Sequence, residues 1–66
     1  MTTLAKRVLE LMPDASKQFA LELYFLDNSE KVIQLLCEYE YTQVLADIFG
    51  EERAQKLISE YSVPVA

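Results

Sequence analysis

Residues 19–26 read Phe-Ala-Leu-Glu-Leu-Tyr-Phe-Leu, a nearly unbroken apolar stretch with one charged side chain, Glu22. At about 3.6 residues per turn, this stretch directs apolar side chains to almost every side of a helix. Such a helix must be covered all round, and 66 residues supply little covering chain. The stretch therefore predicts a contact with another molecule, through side chains shared between a core and an interface: Phe19, Leu21, Leu23, Tyr24, Phe25 and Leu26. The side that carries Leu21 and Phe25 is the one most in need of a partner.

The length of the chain favours association for a second reason. A single domain of about this size, here spanning residues 1–66, buries only about 60% of the surface of its unfolded chain and is marginally stable. Disulfides, metals or oligomerisation usually compensate. Cys37 is the only cysteine and there is no histidine, so an internal disulfide and a zinc site are both excluded. We expect a homo-oligomer, most simply a symmetric homodimer.

Helix start and stop signals divide the first half of the chain. Thr2 or Thr3 can cap a first helix that runs to about residue 12, because Pro13 disfavours helical geometry in the residue before it. Asp14 stands where an N-cap belongs, and a second helix is expected over residues 15–26.

The second half continues the same pattern. Ser29 is the expected cap of a third helix, and Thr42 that of a short fourth one, although the third helix could also run on without a break. Gly50 suits a left-handed C-cap, and a last helix is expected over residues 51–61, followed by a non-helical tail at 62–66. No stretch alternates apolar and polar residues as a strand would. The sequence predicts an all-α bundle of four or five short helices.

The sequence contains few of the residues that catalysis or cofactor binding requires. General acid–base catalysis most often uses histidine, which is absent. Cys37 lies between Leu36 and Glu38 on an apolar flank and is interpreted as a small core residue, not a nucleophile. One glycine cannot build a phosphate-binding loop, and no loop gathers the oxygen ligands that a hard cation needs. We expect no enzyme, no cofactor and no metal.

The net charge of −5 disfavours anionic partners such as nucleic acids and membrane surfaces. No uncharged run approaches the ~20 residues that span a bilayer. With its lone cysteine, the chain is expected in the cytoplasm. Its expected partner is protein. Around the end of the third helix, Glu38, Glu40 and Tyr41 are candidate exposed contacts for a basic partner.

The hypothesis is a small acidic regulator, adaptor or inhibitor that binds protein through apolar helix faces. Two alternatives stay open. Residues 43–61 resemble a degenerate helix-turn-helix, but Glu51 and Glu52 would then begin the helix that meets DNA. In the second alternative, the acidic surface imitates nucleic acid and blocks a nucleic-acid-binding protein.

Overall fold

A computed structural model describes residues 2–61 of the chain, and the predicted tail at 62–66 lies outside this part. Five α-helices and no strand occur between residues 2 and 61, which confirms the all-α prediction. In chain order the helices are α1 (Thr3–Leu11), α2 (Lys17–Phe25), α3 (Ser29–Glu38), α4 (Thr42–Phe49) and α5 (Glu51–Tyr61). The chain divides into two compact units, with the boundary between Val32 and Ile33 inside α3.

In the first unit, α1 and α2 are short helices that contact each other. Of the two predicted candidates, Thr2 caps α1, since its side chain accepts a hydrogen bond of 3.0 Å from the backbone N–H of Ala5. Met12 has non-helical dihedral angles, as expected for the residue before Pro13. The unit buries five apolar side chains completely: Ala5, Val8, Phe19, Leu23 and Val32.

Two predicted caps in this unit are wrong. Ser16, and not Asp14, caps α2 by accepting a bond of 3.2 Å from the N–H of Phe19, and the helix starts two residues later than expected. Residues 12–15 form a turn first, in which the N–H of Ala15 donates to the carbonyl of Met12. Asn28, and not Ser29, caps α3, because its side-chain oxygen accepts from the N–H of Lys31 at 2.9 Å.

In the second unit, α4 and α5 form a tightly packed helical hairpin. Its buried side chains are Ile33, Leu35, Leu36, Cys37, Val44, Leu45 and Ala54. The interpretation of Cys37 as a core residue is confirmed, since this free cysteine is buried.

The expected break between the third and fourth helices is also confirmed, but Tyr41 occupies the cap position of α4 without a capping side-chain bond. Thr42 is already helical.

The break between α3 and α4 is a Schellman motif. The N–H of Tyr41 donates to the carbonyl of Leu36 at 2.8 Å, and the N–H of Glu40 donates to that of Cys37 at 3.1 Å. Glu40 has a φ of 61°, the left-handed conformation that glycine usually supplies at this position. These two hydrogen bonds, to Leu36 and Cys37, end α3 in a reversal at a position where the sequence has no glycine.

Gly50 alone separates α4 from α5. Its N–H donates to the carbonyl of Ala46 and its own carbonyl accepts from the N–H of Ala54, both at 2.9 Å. The predicted positive φ is confirmed at 89°, but ψ is 153°, outside the left-handed helical region. That combination is essentially restricted to glycine. Glycine at this position lets one residue close one helix and open the next.

Candidate interaction surface

The second helix has two apolar faces, of which one is buried and one is exposed. Phe19 and Leu23 are fully buried on the inner side. On the opposite side Leu21, Tyr24 and Phe25 are exposed by 59%, 57% and 77%. Because the exposed side chains recur at three- and four-residue spacing, they form one continuous face. We define the outer face of α2 by five residues: Lys17, Ala20, Leu21, Tyr24 and Phe25.

The predicted interface residues therefore occupy different environments. Phe19 and Leu23 belong to the core alone, and Leu26, the C-cap residue, is half-buried. Leu21 and Phe25 are exposed, and they lie on the side of the helix for which the sequence predicts a partner. Whether that side meets a partner stays a prediction.

The two aromatic residues on the outer face hold each other in place. The rings of Tyr24 and Phe25 are 5.4 Å apart between centroids and meet at 83°, an edge-to-face geometry. Such pairs are worth about 0.5–1.5 kcal/mol beyond the area they bury. Two exposed rings with a mutual contact lose less side-chain freedom when a partner covers them.

A groove between α1 and α2 adjoins the outer face. It is open, has a volume of about 400 Å³, and its lining is almost entirely apolar. The lining residues are Leu9, Lys17, Ala20, Leu21 and Tyr24. Leu9, Lys17 and Ala20 are not among the predicted interface residues. In the case of Leu9, the sequence does not show which side of α1 faces α2. Leu11, at the end of α1, is 42% exposed but does not line this groove.

A second hollow of about 590 Å³ lies along α5, from Phe49 to Glu60. Its lining mixes carboxylates such as Glu51 and Glu52 with the cations Arg53 and Lys56. Covering mixed charges without pairing each one costs free energy. The apolar groove is the better candidate for a protein contact.

The three predicted exposed contacts at the end of α3 differ in their exposure. Glu38 and Glu40 are exposed, and Tyr41 is half-buried. A continuous helix would direct Tyr39 and Tyr41 to nearly opposite sides. The reversal at Glu40 instead brings the two tyrosine rings to 5.6 Å between centroids.

The region that resembles a helix-turn-helix is a hairpin with one residue, Gly50, between its helices. The DNA-binding motif usually has a turn of three or four residues. Glu51 and Glu52 are exposed on the first turn of α5, and the guanidinium of Arg53 lies 5.8 Å from the ring centroid of Phe49. The DNA-binding alternative stays a prediction, and these carboxylates weigh against it.

Within the described part of the chain, no three His, Cys, Asp or Glu side chains gather as a metal site would require. No helix between residues 2 and 61 is long and apolar enough to cross a membrane. Comparison with protein-family models, with curated proteins and with solved structures finds no match for this chain.

Proposed function

We propose that this chain is a protein–protein interaction protein that acts as a homodimer through the outer face of α2. The observation that carries the proposal is the exposure of Leu21, Tyr24 and Phe25 on one side of a helix whose other side is already buried. The proposed role is that of a small acidic regulator, adaptor or inhibitor without catalysis. The proposed compartment is the cytoplasm, where a single buried thiol such as Cys37 is common.

The size of the outer face allows only a weak contact. A tyrosine or phenylalanine buries about 200 Å² when fully covered, so the exposed parts of Leu21, Tyr24 and Phe25 amount to roughly 350 Å². Apolar patches of about 300–600 Å² on small proteins are often functional. Two such patches bury roughly 700 Å² together, below the ~1,200 Å² of stable complexes. We expect a dissociation constant in the micromolar range.

Sedimentation velocity over a concentration series tests the proposal. The parent chain should pass from monomer to dimer between about 1 and about 300 micromolar, the range in which a weak contact saturates. Phe25→Glu should remain a monomer at the highest concentration. Because Phe25 is 77% exposed, this variant should keep the helical circular dichroism of the parent.

Gln34→Glu is the matched control, since Gln34 is an exposed polar residue on α3 and gains the same charge. It should dimerise like the parent. A parent chain that stays monomeric and folded at all concentrations would overturn the proposal. Equal loss of dimer in both variants would assign the effect to net charge and would remove the outer face of α2 from it.

A further inference from the structure

We draw no further inference here: the strongest candidate, the open apolar groove of about 400 Å³ between α1 and α2 that adjoins the outer face of α2, carries nothing beyond the proposed function, because nothing in the structure shows what covers it.

Discussion

Replacement of Gly50 by alanine should destabilise the protein through the backbone alone. The residue has φ 89° and ψ 153°, a combination that costs a non-glycine residue about 1–3 kcal/mol. A Cβ atom built on Gly50 meets no heavy atom within 4 Å, so no steric clash adds to this cost. Alanine also restricts the unfolded chain, which returns about 0.4–1 kcal/mol. The expected net loss in the free energy of unfolding is about 1–2 kcal/mol.

This loss is measurable and leaves the variant folded. A chain of this length has a total stability of about 3–10 kcal/mol. In domains of this size 1 kcal/mol shifts the melting temperature by about 4–8 °C, so Gly50→Ala should melt about 4–16 °C below the parent. The assay is thermal and urea unfolding followed by circular dichroism. Both proteins must be at the same concentration, because the proposed dimerisation would raise the apparent stability.

Gly50→Asn separates this geometry from an ordinary left-handed helix cap. Asparagine tolerates the left-handed helical region, and at such a cap it should recover much of the loss. At a ψ of 153° it has no such advantage, and we expect it to be as destabilising as alanine. A change below about 0.5 kcal/mol in Gly50→Ala, or a clear advantage of asparagine, would refute the assigned backbone conformation.

Three further predictions concern single side chains. Glu40→Gly should raise the free energy of unfolding by about 0.5–1 kcal/mol, as measured by urea unfolding. Glycine relieves the left-handed strain at φ 61°, and the substitution removes a carboxylate from a helix C-terminus. Ser16→Ala should cost about 1 kcal/mol and Asp14→Ala less than half of that in the same assay, since Ser16 is the cap of α2; equal losses would contradict this assignment. Phe19→Ala should cost about 3–5 kcal/mol and Phe25→Ala below about 1 kcal/mol in the monomer, because one ring is fully buried and the other is 77% exposed.

Local signals in the sequence determine much of the helical framework. Thr2 caps α1, Pro13 prevents Met12 from staying helical, and Gly50 separates two helices of which the second spans residues 51–61 as predicted. These features depend on a residue's own dihedral preferences and on neighbours within one turn. A single sequence contains that information directly.

Where two neighbouring residues have similar capping propensity, the tertiary structure determines which one caps the helix. Asp14 and Ser16 are both good caps, and so are Asn28 and Ser29, so propensity alone cannot choose between them. The turn over residues 12–15 delays α2 until Ser16. Glu40 is a further example, because its left-handed conformation has to be held by the two hydrogen bonds around it, against its own preference.

The stretch at residues 19–26 shows the same division most clearly. The sequence determines that this helix is apolar on nearly all sides, which follows from residue types and helical spacing. Only the tertiary structure decides that Phe19 and Leu23 are buried while Leu21, Tyr24 and Phe25 remain exposed. The physical reason is that burial depends on which surfaces approach from elsewhere in the chain, and equally apolar faces provide no local preference between them.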